Sequence, residues 1–296
     1  MRPSLVVWLV LALVGGALVA ASRARAGDTD LAFVRDGATV KTVDRGALER
    51  ACPTATVTID DPYYGRPVRY RACPLAEVLA LGFGSLADAP ADADVFFRAR
   101  DGYVKPASVA RVREAGGWVA FADADRMKGD DPGFAPIDRR QVDPAPYYVV
   151  WEKPAQRDTH RYPWPYQLAA IELASFASRY PHTAPTGIAT DAPAWKGYAI
   201  FRGECSACHA INGEGGTIGP ELNVPQSIVE YRAAAQLKAF IRKPETFRYT
   251  SMPSHEHLSD ADLDAVLAYF GAMRERKHDP KRDAGVGAAA AHAGAE

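Results

Sequence analysis

Cys205-Ser206-Ala207-Cys208-His209 places two thiols two residues apart, with an imidazole directly after the second. Three chemistries use thiols at this spacing. Thioether bonds from both sulfurs to the vinyl groups of a haem would tether the ring and set His209 under the iron. A thioredoxin-type dithiol expects the motif after a strand in a βαβ unit. Here the motif closes a helical pattern and opens a glycine-rich loop. A zinc site would draw on Cys205, Cys208, His255 and His257, but a His-x-His pair falls outside the usual spacing of about three to five residues. Covalent haem attachment through Cys205 and Cys208, with His209 as iron ligand, is the reading the spacing favours.

An electron-carrying haem iron needs a second axial ligand, usually Met or His, and Met raises its potential. Beyond residue 26 the methionines are Met127, Met252 and Met273. Met127 sits beside Lys128-Gly129-Asp130 and reads as a loop residue. Met273 ends an apolar helical stripe and reads as core. Met252 lies in an irregular segment between two helices, fixed by Pro253, where a loop wraps the far face of a ring. It is assigned as the distal ligand. His255 and His257 would compete only if that loop rearranged, and otherwise read as surface histidines ahead of the last helix.

The elements around the motif follow from periodicity. Ala194–Glu204 is expected as a helix, with Asp191 as its cap and Trp195, Tyr198 and Ala199 on one face. Gly213, Gly215, Gly216 and Gly219 allow a backbone to pass close to a flat ligand. Tyr231–Arg242 repeats apolar residues at helical spacing and stops before Pro244. Ser259 and Asp262 resemble a capping box ahead of a final helix bearing Leu263, Val266, Leu267 and Phe270. A chain this short has difficulty building a sufficient core, and a haem would serve as one.

These features together resemble a class I mono-haem c-type cytochrome over nearly all of residues 194–275. The likeness rests on the helix leading into the thiol motif, Ile218-Gly219-Pro220-Glu221-Leu222, Tyr249-Thr250-Ser251-Met252-Pro253 and the last helix. It implies an all-α domain, one covalent haem c, axial ligation by His209 and Met252, and single-electron carriage. It also implies that the carbonyl of Pro220 accepts from Nδ1 of His209, and that attachment takes place outside the cytoplasm.

Residues 27–180 read as a separate α+β, mostly β, domain. Leu31–Val34, Ala38–Val43, Thr54–Asp60, Val68–Arg71, Asp94–Ala99, Trp118–Ala122 and Pro146–Trp151 have strand character. Gly46–Ala51 and Pro74–Leu81 read as short helices, and periodicity leaves Leu168–Phe176 undecided. Five phrases resemble the molybdopterin-binding-like domain of the sulfite oxidase type. They are Val68-Arg69-Tyr70-Arg71 leading to Pro74-Leu75-Ala76-Glu77-Val78-Leu79, Arg98-Ala99-Arg100-Asp101-Gly102-Tyr103, Trp118-Val119-Ala120-Phe121-Ala122-Asp123, Tyr148-Val149-Val150-Trp151, and Trp164-Pro165-Tyr166-Gln167 before Ile171-Glu172. Enzymes of that fold hold molybdenum through a cysteine thiolate. The candidates, Cys52 and Cys73, sit in no recognisable ligand setting, so a scaffold without the cofactor is expected. In an oxidising compartment the two are expected to pair as a disulfide, two buried thiols being the alternative. Arg66, Arg69 and Arg71 read as a solvated strand face.

Residues 1–26 carry Arg2, an uncharged run from Leu5 to Ala21 and Ala24-Arg25-Ala26, the pattern of an export signal cut before Gly27. An uncleaved anchor helix is the alternative. Without that segment acids outnumber bases, which does not suggest a nucleic-acid binder. Residues 181–193 read as a linker and residues 276–296 as a disordered tail. The expected protein is a periplasmic electron carrier with redox proteins as donor and acceptor, no nucleic acid, and no stable membrane span if the signal is cleaved. The N-terminal domain would act as docking module or scaffold. The alternatives are a self-contained molybdopterin-type oxidoreductase passing electrons to its own haem, and a haem-linked ligand sensor.

Overall fold

A computed structural model describes residues 29–87, 89–137 and 141–280. The expected export signal and the Ala/Gly-rich end beyond residue 280 lie outside the described residues.

The N-terminal region begins with β1 (Leu31–Arg35), β2 (Ala38–Val43), α1 (Arg45–Ala51), β3 (Ala55–Asp61), β4 (Arg66–Pro74) and α2 (Leu75–Phe83). It continues through β5 (Ala93–Ala99), β6 (Val104–Ser108), α3 (Val109–Val112), β7 (Gly117–Asp123), β8 (Tyr148–Trp151), β9 (Leu168–Ser175) and α4 (Phe176–Arg179). Two sheets form, ordered β2-β1-β9-β5-β6 and β3-β4-β7-β8. The hairpin β1–β2 turns on Asp36-Gly37, whose φ values of 47° and 81° are the left-handed pair a two-residue turn requires. The core between the sheets is aromatic-rich, with Phe33, Tyr70, Phe97, Phe121, Tyr148 and Trp151 fully buried.

Pairing settles what periodicity left open. Leu168–Ser175 contains Leu, Ala, Ile and Glu, which suit a helix, yet it is a strand held between parallel β1 and antiparallel β5. Its Glu172 is fully buried and answers Arg179 at 3.1 Å and Arg98 at 3.4 Å. Val104–Ser108 carries a lysine and a proline and shows no strand signal in sequence. It is tolerated because it is an edge strand.

Cys52, at the end of α1, and Cys73, in β4, form a disulfide with their Cα atoms 5.9 Å apart. The chain-entropy account puts such a bridge at about 3 kcal/mol. Two of the three strand arginines are paired, Arg69 with Asp125 at 2.6 Å and Arg71 with Glu49 at 3.6 Å.

The C-terminal region holds α5 (Pro193–Ile200), a small pair β10 (Ala210–Ile211) and β11 (Glu214–Gly215), α6 (Ile228–Tyr231), α7 (Ala234–Arg242) and α8 (Asp260–Arg274). The short β pair is a departure from an all-helical expectation. Helix α5 packs on α8 so closely that a Cβ at Gly197 would stand 2.0 Å from the Ala265 carbonyl oxygen. Tyr198, Phe201, Tyr269 and Phe270 join across this contact. Asp191 does not cap α5: Ala192 takes the cap position without a side-chain bond, and Pro193 preorganises the first turn. The helix expected over 231–242 is interrupted, because Arg232 and Ala233 are extended. Ser259 and Asp262 do form the capping box of α8.

Residues 181–193 lie on the C-terminal region rather than spanning free space. Tyr269 donates to the Thr183 carbonyl at 2.7 Å, and Asn212 Nδ2 donates to the His182 carbonyl at 2.8 Å. The same Asn212 donates to the Arg276 carbonyl at 2.9 Å and accepts from the His278 N–H at 3.1 Å. Docking therefore extends past Glu275, where composition suggested a disordered tail. Among the described residues no helix is long and apolar enough to cross a membrane.

Candidate functional site

The thiol motif is positioned by a change of helical pitch. After α5 the backbone widens, and Ser206 N–H donates to the Phe201 carbonyl at 2.8 Å, an i→i+5 bond. Such wide turns are frequent at functional sites. Phe201 is fully buried and anchors the turn. The N–H groups of Cys208 and His209 then both donate to the Cys205 carbonyl, at 3.1 and 2.9 Å. Cys205 and Cys208 are half-buried and in no disulfide. Burial, followed by the neighbouring Glu204 charge, pushes the Cys205 thiol up to about 12.

Nδ1 of His209 lies 2.8 Å from the Pro220 carbonyl oxygen. A carbonyl only accepts, so Nδ1 carries the proton and Nε2 keeps its lone pair for a metal. Burial lowers the pKa of His209, which favours that neutral form. The ring is backed by Gly219, where a Cβ would stand 2.4 Å from Cε1. Gly216 is equally confined, since a Cβ there would meet the Ala207 carbonyl oxygen at 2.0 Å. The loop holding Pro220 is pinned by fully buried Asn223, which donates to Asn212 Oδ1 and to the Met273 carbonyl, each at 2.8 Å.

Met252 is half-buried in the segment between α7 and α8, its N–H donating to Thr250 Oγ1 at 3.1 Å. Met273 is core in α8, 1% exposed, and Met127 packs partly buried against the N-terminal core. His255 departs from the surface reading: it is 3% exposed, and its N–H donates to the Arg242 carbonyl at 3.2 Å. His257 is exposed.

A cavity of about 890 Å³ opens beside Cys208, within the roughly 300–1,000 Å³ of pockets that enclose a ligand. Thr250, Ser251 and Pro253, on either side of Met252, line it together with Ile218. The opposite wall comes from the N-terminal region, chiefly Tyr63, Tyr103, Trp164 and Tyr166, with Lys105 and His160. Tyr249, almost wholly exposed, stands at its rim. Sequence reading assigned none of these N-terminal residues to the site, since only tertiary docking brings them there. The docking bonds are explicit. Lys105 Nζ donates to the Gly203 carbonyl at 2.6 Å, Thr217 N–H to the Gly102 carbonyl at 3.2 Å, and Arg202 pairs with buried Asp94. Burial lowers the pKa of Lys105.

The thiols, the oriented neutral imidazole, the glycine backing and the adjoining cavity all suit a porphyrin held by its own cysteines. The cytochrome c family model matches residues 194–273, nearly all of the stretch from α5 to α8. That match implies covalently bound haem c and electron transfer. The chain is also similar to a curated protein, "Lupanine 17-hydroxylase [cytochrome c]" from a Pseudomonas species, with 38% identity over 83 residues. The similarity covers 27% of this chain and 11% of that relative.

Proposed function

We propose that this chain is an exported, periplasmic c-type cytochrome that carries single electrons on one haem. Cys205 and Cys208 tether the ring, and His209 and Met252 are the iron ligands. Bound there, haem supplies a one-electron couple at its iron. The chain's own residues do the rest. Pro220 fixes the tautomer of His209, Gly219 holds the imidazole plane, and the cavity walls frame the space beside Cys208.

The observation that carries the reading is the Nδ1–Pro220 bond beside the two thiols, 2.8 Å long, which leaves Nε2 as a ready ligand. The N-terminal residues form a second domain that docks on this one and shapes access to the haem for a periplasmic redox partner. Support comes from the cavity, whose far wall is theirs. Encounters of this kind use small interfaces. A molybdenum centre of the sulfite oxidase type does not fit, because Cys52 and Cys73, the candidate thiolates, are bonded to each other.

The test is haem and metal analysis of the purified chain. One haem per chain should survive acid–acetone extraction and be reduced and reoxidised reversibly, with no molybdenum. Stoichiometric molybdenum, or haem that extracts freely, would overturn the reading.

A further inference from the structure

Next to the thiol motif, but outside it, three ligating side chains converge. His160 Nδ1 lies 2.8 Å from Glu204 Oε2, and His257 Nε2 lies 3.6 Å from the same oxygen. One donor atom from each of the three falls within 4.8 Å of the others. The imidazole rings of His160 and His257 are 4.1 Å apart between centroids. The residues come from three separate places: the loop before β9, the wide turn ahead of Cys205, and the segment leading into α8.

A second observation points the same way. His255 is 3% exposed, and its Nδ1 is buried with no hydrogen-bond partner. A buried polar atom left unpaired is costly and calls for an explanation. The His255 ring lies 5.9 Å from the rings of both His160 and His257.

We propose that His160, Glu204 and His257 bind a divalent first-row transition-metal ion of the zinc class, with His255 completing or supporting the site. The chemistry matches. Two imidazoles and a carboxylate suit zinc, whereas calcium and magnesium select all-oxygen sets. Zinc bonds of about 2.0–2.2 Å in a tetrahedron place donors about 3.3 Å apart. The observed 2.8 and 3.6 Å separations bracket that value. Such an ion would fasten residue 160 of the N-terminal region to residues 204 and 257 beside the haem motif. His160 and Glu204 also line the cavity beside Cys208, so the ion would be a second metal next to the haem iron, counted separately from it.

The test uses the full chain with its haem, stripped with EDTA, then titrated calorimetrically with zinc chloride. Zinc is also counted by mass spectrometry after desalting. One equivalent is expected. His160→Ala, His257→Ala and Glu204→Gln should each weaken binding at least tenfold, while His182→Ala leaves it unchanged. His160 and His257 side chains are 35% and 41% exposed, so these substitutions leave the core intact, and circular dichroism checks it. No retained zinc, or zinc binding indifferent to the His160→Ala/His257→Ala pair, would overturn the proposal. In that case Glu204 serves only as a hydrogen-bond acceptor between two imidazoles.

Discussion

Val104 donates its backbone N–H to the carbonyl of Ala207, at 3.0 Å, and Ala207 lies between the two thiols of the Cys205–His209 motif. A strand of the N-terminal sheet thus hydrogen-bonds the turn that carries Cys205 and Cys208. The matching bond from Thr217 N–H to the Gly102 carbonyl fixes the other side of the loop. The motif is therefore held by both halves of the chain, and substitutions in either half should be felt at it.

Gly219→Ala should disrupt the site with every proposed ligand left in place in the sequence. The new methyl would stand 2.4 Å from the His209 ring, closer than any real Cβ contact. The ring or the loop must move, and the Pro220 bond with it. Covalent haem per chain, measured by pyridine haemochrome, should fall severalfold relative to the unsubstituted protein. Undiminished haem with an unchanged spectrum would show that Gly219 plays no orienting part.

Met252→Ala should abolish the iron–thioether absorption band while leaving haem attached. Met273→Ala should keep the band and lower stability by about 2–5 kcal/mol, the usual range for truncating a buried methionine. Met273 is 1% exposed in the helical core. If the band vanished in the Met273 variant and survived in the other, the distal assignment would be reversed.

Arg202→Ala leaves the 4%-exposed Asp94 without its cation. Stranding a buried carboxylate costs about 1–3 kcal/mol, and the 39% exposure of Arg202 places the loss at the lower end. Asp94→Asn should cost less. Burial raises the Asp94 pKa above its ordinary 3.8, against the pull of Arg202, so removing Arg202 raises it further. The folded variant then holds its proton more tightly than the unfolded chain does. Its deficit is full above the folded pKa and shrinks as pH falls toward 3.8. Urea midpoints at about pH 7 and about pH 4 would show it, and a deficit that grew with acid would refute the account.

Reducing the Cys52–Cys73 disulfide, or replacing both residues by serine, should cost about 3 kcal/mol of stability in the N-terminal region. The haem spectrum should stay unchanged, because neither cysteine lines the cavity. Metal content should likewise be unaffected.

The chain's chemistry was legible wherever it is local. The thiol motif and the capping box of α8 each lie within a few residues, and their spacing carries the signal, whereas the part of Pro220 followed only from the resemblance to class I c-type cytochromes. Strands β1 to β5, β7 and β8 were visible because alternation and turn residues mark them. What sequence did not reveal depends on contacts across the fold. Leu168–Ser175 is a strand because two neighbours pair with it. His255 is buried beside His160, which comes from a distant part of the chain. Tyr103, Lys105 and His160 reach the cavity only when the two regions dock, and nothing in their immediate sequence announces it.

Strand β6 is the last of its sheet, and an open edge of this kind is a template on which another chain can add. Here the Val104 N–H and the Gly102 carbonyl are already engaged by Ala207 and Thr217. The helical half of the molecule is therefore also a guard against self-association. A fragment ending near residue 180 would lose that guard along with the C-terminal side of the cavity, leaving β6 open to pairing with another chain.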